Sequence, residues 1–149
     1  MSLVIQLRDI QKSYFMASQA IPVLKGIDLD IKEDFAFLFV GHWLKGDLGQ
    51  DRKDVGMLIK CFATAFSNSE NKPALVLKTS SATFSVKERE NFRKRIEDLV
   101  KDIKNPPSIY LLFGDLTNEE MNNLYNHPFW SIINSLLRIF HCFNNLQSF

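Results

Sequence analysis

The sequence contains little that points to a specialised environment. Only two of its 149 residues are cysteines, Cys61 and Cys142, and no metal-ligand spacing surrounds either one. We therefore expect two buried thiols, with neither a disulfide nor a metal site. The net charge is only +1, which gives no reason to expect nucleic acid or an anionic membrane as a partner. No uninterrupted apolar run reaches the roughly 18 residues that indicate a membrane-spanning helix.

A leader pattern is lacking as well. The N-terminus has no basic stretch followed by an apolar core, so we expect no secretory signal and take a cytoplasmic location as the default. The residues that are present, 46% hydrophobic and 23% charged, give the composition of an ordinary soluble globular chain. Such a chain has room for one domain with its own core.

One wholly apolar run that ends in glycine stands out, FAFLFVG at residues 35–41. A run of this kind predicts a buried parallel strand that leads into a loop. Two further short apolar runs, at 74–79 and 109–113, alternate with segments whose apolar residues have helical spacing. This β-α-β-α-β-α order predicts a Rossmann-like α/β fold in three layers, with a short parallel sheet and helices on both faces.

Local signals mark where these helices begin. Asp51 is the predicted N-cap of the first helix. Ser85 with Glu88, and Thr117 with Glu120, have the spacing of capping boxes, in which the hydroxyl and the glutamate each satisfy a backbone N–H. Because ligands of parallel sheets bind beyond the carboxyl ends of the strands, we expect the loops that follow the three strands to share one rim.

The two ends of the chain have different patterns. Residues 1–33 contain two loosely alternating stretches, at 3–10 and 21–31, which predict an added antiparallel strand pair. Residues 34–128 form the α/β domain. Residues 129–149 contain no acidic residue and have apolar residues at helical spacing, which predicts an apolar C-terminal helix. That helix would pack against the sheet or make a homo-oligomer contact with a second chain.

The N-terminal residues VIQLRDIQKSYF and VLKGIDLDIKE closely resemble the opening of an ABC-transporter ATPase subunit. The resemblance implies that Tyr14 stacks on the adenine of ATP. The family then has a phosphate loop, G-x-x-x-x-G-K-[ST], whereas this chain reads GHWLKGDL from Gly41 to Leu48. Asp47 stands at the lysine position and repels phosphate, and Leu48 cannot ligate Mg²⁺. We therefore expect no ATP hydrolysis, and Tyr14 has the alternative interpretation of a packed aromatic residue.

Residues 35–128 resemble part of the donor-binding domain of GT-B glycosyltransferases that retain anomeric configuration. The resemblance lies in FLFVGHWLKGDLGQDRKDVGMLIKCFATAF, ALVLKTS and IYLLFGDLTNEEMNNLYNHP, which match successive strand–loop–helix units in order. It implies a nucleoside-diphosphate sugar site. In the family an arginine after a glycine, and a lysine farther along the loop, neutralise the diphosphate. Gly41 and Lys53 match that glycine and lysine, and His42 stands at the arginine position.

Charge considerations agree with part of this assignment. The leaving diphosphate gains negative charge, so fixed cations are needed near it. Lys53 supplies one, whereas a neutral His42 supplies a single donor. Lys78, at the carboxyl end of a strand, is a further candidate for anion binding. Two of these residues have a structural alternative: a solvated cation at a helix start for Lys53 and an ordinary loop histidine for His42.

The leading hypothesis is a glycosyltransferase-like nucleotide-sugar-binding domain in a truncated or composite chain, without a cofactor. Whether it is an enzyme stays open, because the acceptor domain and the donor-binding glutamate pair of the family have no counterpart in the sequence. Two alternatives remain. One is a non-enzymatic interaction module that docks through residues 129–149. The other is an ABC-ATPase remnant without a working phosphate loop.

Overall fold

The chain divides into two compact units, Met1–Asp34 and Phe35–Phe149, in a computed structural model. The structure describes residues 5–16, 19–44, 48, 53–80, 85–127 and 130–132, and it describes side chains from residue 31 to residue 127 within these ranges. Each unit is described separately below.

The first unit contains two strands whose backbones pair antiparallel. These are β1 (Ile5–Met16) and β2 (Gln19–Ile31), with Ile5 opposite Ile31 and Met16 opposite Gln19. Strand β1 continues through the stretch for which the sequence predicted a connection, so Tyr14 lies within the strand, opposite Ile21. The side chains of residues 5–30 lie outside the described features.

The second unit alternates strands and helices, as the sequence predicted. Its elements are β3 (Ala36–His42), α1 (Val55–Phe66), β4 (Ala74–Ser80), α2 (Val86–Val100), β5 (Ile109–Leu112), α3 (Asn118–Asn126) and β6 (Trp130–Ile132). The four strands form one parallel sheet in the order β5-β4-β3-β6. The predicted α/β fold with a short parallel sheet is confirmed, and β3, β4 and β5 are the three predicted strands.

Strand β3 is apolar from Ala36 to Gly41, as expected for a strand that is covered on both faces over its first four residues. Residues Ala36 to Phe39 are buried, and alternate side chains of a strand point to opposite faces of the sheet. One face packs with α1 and α2 in the main core. The buried members of that core are Phe37, Phe39, Trp43, Val55, Leu58, Ile59, Phe62, Phe66, Leu75, Leu77 and Phe92. On the opposite face of the sheet, Leu38 is 0% exposed and Val76 is 3% exposed.

The order of the strands places the helices in separate layers. Helices α1 and α2 connect strands that advance in one direction along the sheet, from β3 to β4 to β5. The connection through α3 runs back from β5 to β6 at the other edge. Because parallel crossovers are right-handed in almost all proteins, this reversal predicts that α3 lies on the face opposite α1 and α2.

The start of α1 differs from the prediction. Its N-cap is Asp54, whose side chain accepts a hydrogen bond from the Met57 backbone N–H, so the prediction of Asp51 was wrong. Asp54 has a φ of 41°, in the left-handed region that Asp adopts more readily than most residues. The other two caps follow the sequence. Ser85 accepts from the Glu88 N–H, and Thr117 forms a complete capping box with Glu120.

The C-terminal segment also differs from the prediction. Trp130–Ile132 forms strand β6, which pairs in parallel with Ala36–Leu38 of β3, whereas a helix was predicted from residue 129. A short apolar run fits a strand and a helix equally well by its periodicity, and here β3 offers an open edge for pairing. Residues 133–149 lie outside the described residues. No helix within the described ranges is long and apolar enough to cross a membrane.

Candidate functional site

The carboxyl ends of the three predicted strands, β3, β4 and β5, lie at the same end of the sheet. His42 pairs in register with Ser80, and Lys78 with Leu112. Beyond β3 the chain stays attached to β4, because the Trp43 N–H donates to the Ser80 carbonyl at 3.0 Å. Parallel strands present their carboxyl ends at a common edge, so the described parts of the three predicted loops lie on one rim.

Lys53 and Gly41 are in direct contact on this rim. The Lys53 ammonium donates to the Val40 carbonyl at 3.1 Å and lies 5.6 Å from the centre of the Phe39 ring. A Cβ atom placed on Gly41 would be 2.9 Å from Lys53 Cδ and 3.0 Å from Nζ. The absence of a side chain at Gly41 therefore makes room for Lys53 to lie across the end of β3.

The charge of Lys53 has no ionic partner in the part of the chain that the structure describes. The ion pairs found there, Arg89–Glu90 and Arg93–Glu97, lie on the exposed surface of α2. An ammonium has three N–H donors, and the Val40 carbonyl takes one of them. Lys53 can therefore still donate to an anion.

Thr79 lies next to Gly41 on the neighbouring strand. The two residues are register partners in the parallel pair, so Thr79 faces the same side of the sheet as the space that Lys53 fills. Thr79 is 1% exposed, and its hydroxyl oxygen has no hydrogen-bond partner among the described residues. A buried hydroxyl in this state is uncommon and calls for an explanation, such as a ligand or a water molecule.

His42 belongs to the other side of the rim. It is exposed, and its Nδ1 lies 3.3 Å from the Ser80 hydroxyl oxygen. Strand alternation directs His42 and Ser80 away from the face that carries Lys53 and Thr79. The structure thus brings Gly41 and Lys53 together, but it does not place the His42 side chain beside the Lys53 ammonium.

Lys78 is bound within the protein. Its ammonium donates to the Gly114 carbonyl at 2.7 Å, a short and partly buried hydrogen bond that ties β4 to the loop after β5. Gly114 has a φ of +134°, which residues with a side chain rarely adopt. This contact favours the structural interpretation of Lys78 over the anion-binding one.

Trp43 anchors the loop after β3, although no sequence pattern singled it out. Trp43 is 1% exposed and stacks on Phe92 of α2, with ring centres 5.4 Å apart and 20° between the ring planes. The Arg95 guanidinium lies 4.0 Å from the centre of the Trp43 ring. An aromatic residue within a polar loop was the available signal, but its partner on α2 is far away in sequence.

The helix N-termini are occupied by the chain's own side chains. The Asp54 carboxylate accepts from Met57 at α1, and the Ser85 hydroxyl accepts from Glu88 at α2. At α3, Thr117 and Glu120 satisfy each other's backbone N–H groups. A phosphate at a helix N-terminus would have to compete with these caps, so an anion is better served by Lys53 than by a helix end.

The remaining predicted residues add no further site. Cys61 is a free, half-buried thiol. Burial makes the largest contribution to raising its pKa, and the nearby Asp54 carboxylate raises the pKa further, whereas Lys60 lowers it. No cluster of potential metal ligands occurs among the residues that could be searched. Cys142 and the Tyr14 side chain lie outside the described features.

Comparison of the chain with protein-family models, curated proteins and solved structures found no match. The resemblances to the glycosyltransferase and ATPase families therefore stay predictions. The argument for a ligand depends on the geometry of the rim itself.

Proposed function

We propose that this chain binds a nucleoside-diphosphate sugar at the carboxyl edge of the sheet, as a glycosyltransferase-like donor-binding domain. The observation that carries the proposal is the Lys53 ammonium. It lies across Gly41 at the end of β3, and no carboxylate within the described ranges pairs with it. The rim is also where ligands bind in parallel α/β sheets.

The chemistry of a diphosphate suits this position. A phosphate oxygen can accept the N–H donors that Lys53 does not spend on the Val40 carbonyl. A hydrogen bond between charged partners contributes about 1.5–3 kcal/mol, which corresponds to roughly tenfold or more in affinity. His42 is exposed at the same end of the sheet, but its side chain faces away from Lys53, so the proposal assigns it no contact with the phosphate.

The proposal extends to binding and does not include glycosyl transfer. The glutamate pair with which the resembled enzymes hold the sugar and ribose has no counterpart in residues 129–149, which contain no acidic residue. Among the described residues of the rim, Lys53 is the one cation assigned to the ligand where the resembled enzymes use two, since Lys78 is bound to Gly114. We expect binding that is weaker than that of a complete donor site.

The test is a titration of the ¹⁵N-labelled protein with UDP-glucose, ADP-glucose and GDP-mannose, followed by amide NMR. We expect shifts at Gly41, Lys53 and Thr79 with at least one donor. Lys53→Met should abolish them, and Lys53→Arg should retain most of the affinity because it keeps the charge.

Lys72→Met is the matched control. Lys72 also donates to a backbone carbonyl, that of Asn105 at 2.9 Å, but it precedes β4 and so lies at the opposite edge of the sheet. This variant should bind as the wild type does. The proposal is wrong if none of the three nucleotide sugars shifts the rim amides, or if the two methionine variants lose affinity equally.

The described features favour no second function. The interaction-module alternative depends on residues 129–149, of which the structure describes only the backbone of 130–132. The ATPase-remnant alternative depends on the Tyr14 side chain, which lies outside the described features.

A further inference from the structure

We infer that the Thr79 hydroxyl forms the floor of an anion site that Lys53 covers, and that one phosphate oxygen bridges the two groups. This inference rests on the proposed function, because the anion is taken to be the diphosphate of the nucleotide sugar. It adds a second binding residue, from a different strand, that neither the sequence patterns nor the resemblance pointed to.

The placement of Thr79 follows from strand pairing. Gly41 and Thr79 are partners in the parallel pair of β3 and β4, and neighbouring strands lie about 4.8 Å apart. Lys53 Nζ lies 3.0 Å from the position of a Cβ on Gly41. The ammonium and the Thr79 side chain therefore belong to the same face of neighbouring strands, which is the arrangement that a shared bound atom requires.

Both groups need the same kind of partner. The Thr79 hydroxyl is buried and lacks a partner in the described part of the chain, a state that is unfavourable relative to a hydrogen-bonded hydroxyl. The Lys53 ammonium has donors to spare, and it cannot accept a hydrogen bond. Since a cation and a hydroxyl donor can both be satisfied by one acceptor, an anionic oxygen fits the space between them.

Entry of the anion requires Lys53 to move. Its side chain lies across Gly41, where a Cβ would also be 3.1 Å from Phe39 Cζ, so the space above the end of β3 is filled. The lysine stem is flexible, and its hold consists of the hydrogen bond to Val40 and the contact with the Phe39 ring. An incoming phosphate would draw the ammonium from the Val40 carbonyl and reach the hydroxyl behind it.

The test compares Thr79→Val with Thr79→Ser. Valine has nearly the shape of threonine without its hydroxyl, so Thr79→Val should be at least as stable as the wild type in urea unfolding. The same variant should bind sodium pyrophosphate and the donor sugar about tenfold more weakly, whereas Thr79→Ser should bind within a few-fold of the wild type. If Thr79 served packing alone, Thr79→Val would bind both ligands as tightly as Thr79→Ser does.

The outcomes separate the two proposals. If the wild type binds a nucleotide sugar and Thr79→Val binds it equally well, the hydroxyl site is wrong and the proposed function stands. If pyrophosphate binds with the expected loss in Thr79→Val but no nucleotide sugar binds, the anion site stands and the proposed function is wrong. If neither ligand binds the wild type, both are wrong.

A second measurement guards against a variant that fails to fold. In the wild type with ¹³C-labelled threonine methyl groups, pyrophosphate should shift the Thr79 methyl resonance and leave that of Thr64 in place. Thr64 is a suitable reference because its hydroxyl donates to the Lys60 carbonyl at 2.8 Å on the exposed surface of α1. An unmoved Thr79 signal at saturating pyrophosphate would overturn the inference.

Discussion

Lys53 occupies the space that a side chain on Gly41 would need. The distances from the position of a Gly41 Cβ to Lys53 Cδ and Nζ are 2.9 Å and 3.0 Å. The two residues are twelve positions apart in the sequence. Strand β3 ends between them, at His42, and α1 begins at Val55, after Lys53. Their contact couples the end of β3 to the residue that precedes the N-cap of α1.

Gly41→Ala should displace Lys53 without unfolding the protein. The new methyl group meets the flexible end of a lysine, which can move, and it lies 3.1 Å from Phe39 Cζ, so the ring must shift by only a few tenths of an ångström. An alanine in a strand also costs less conformational entropy than glycine. We expect the free energy of unfolding to change by less than about 1 kcal/mol. The nucleotide-sugar affinity should fall as in Lys53→Met. Urea denaturation and the NMR titration measure the two quantities.

Gly41→Val provides the contrast. Its larger side chain would also press on Phe39, whose ring is buried and cannot move aside as a lysine does. Overpacking of this kind costs about 1–3 kcal/mol. Equal stability of the alanine and valine variants would show that the space at Gly41 is not confined in the way described.

Trp43→Ala should be among the most destabilising single substitutions in the second unit. The indole is 1% exposed and packs against Phe92 and Arg95. Loss of a buried tryptophan side chain costs about 3–5 kcal/mol. Arg95→Gln removes the cation that lies near both the Trp43 and the Phe92 rings, and the loss of the cation–ring contact should cost about 0.5–1 kcal/mol. Chemical denaturation followed by circular dichroism ranks the variants, and a mild effect of Trp43→Ala would refute the anchoring role.

Lys78→Met should lower the free energy of unfolding and leave the affinity of the rim for a nucleotide sugar nearly unchanged. The Lys78 ammonium donates to the Gly114 carbonyl at 2.7 Å, so its removal leaves that partly buried acceptor without this bond. A cost of about 1–2 kcal/mol is expected. The nucleotide-sugar affinity, measured well below the unfolding transition, should stay within a few-fold of the wild type. A loss as large as that of Lys53→Met would return Lys78 to the anion site.

Substitutions of Thr117, the N-cap of α3, should lower the free energy of unfolding by different amounts. Its hydroxyl accepts from the Glu120 N–H at 3.2 Å, and the Glu120 carboxylate accepts from the Thr117 N–H. Thr117→Ala should therefore lower the free energy of unfolding by about 1 kcal/mol, and Thr117→Ser should change it little. Thermal and urea unfolding test the order, which a similar loss in both variants would contradict.

The Cys61 thiol should react slowly with iodoacetamide. Burial, and then the Asp54 carboxylate, raise its pKa, so less thiolate is present at pH 8 than in an exposed peptide. Asp54→Asn removes the charge but keeps a capping side chain suited to the left-handed backbone, so alkylation of Cys61 should become faster. Lys60→Gln should make it slower, because Lys60 lowers the pKa. Peptide mapping by mass spectrometry measures both rates.

The sign of the pH dependence follows from the same shift. A thiol whose pKa is raised on folding favours the folded state below the pKa of the unfolded chain, and this contribution is lost as the pH rises through the folded value. Cys61→Ala should therefore flatten the alkaline side of the stability profile. If the wild type and this variant lose stability in parallel above the ordinary thiol pKa, the thiol does not contribute.

Several parts of the fold could be predicted because their signals are local. The apolar run before Gly41 has the pattern of a buried strand, and the capping side chains of Ser85 and Thr117 act on N–H groups only three residues away. The predictions that were wrong involve ambiguous local signals. Asp51 and Asp54 are both acceptable caps, and the run Trp130–Ile132 fits a strand as well as a helix.

The sequence by itself determined the alternation of strands and helices, and hence the parallel sheet with a rim at its carboxyl edge. Only the tertiary structure decided which residues meet there, because strand register and the path of the loop set those distances. It joined Lys53 to Gly41, placed Thr79 beside them and bound Lys78 to Gly114. A lysine in a sequence is the same cation in each case, and the neighbours that folding brings to it determine whether it remains available to a ligand.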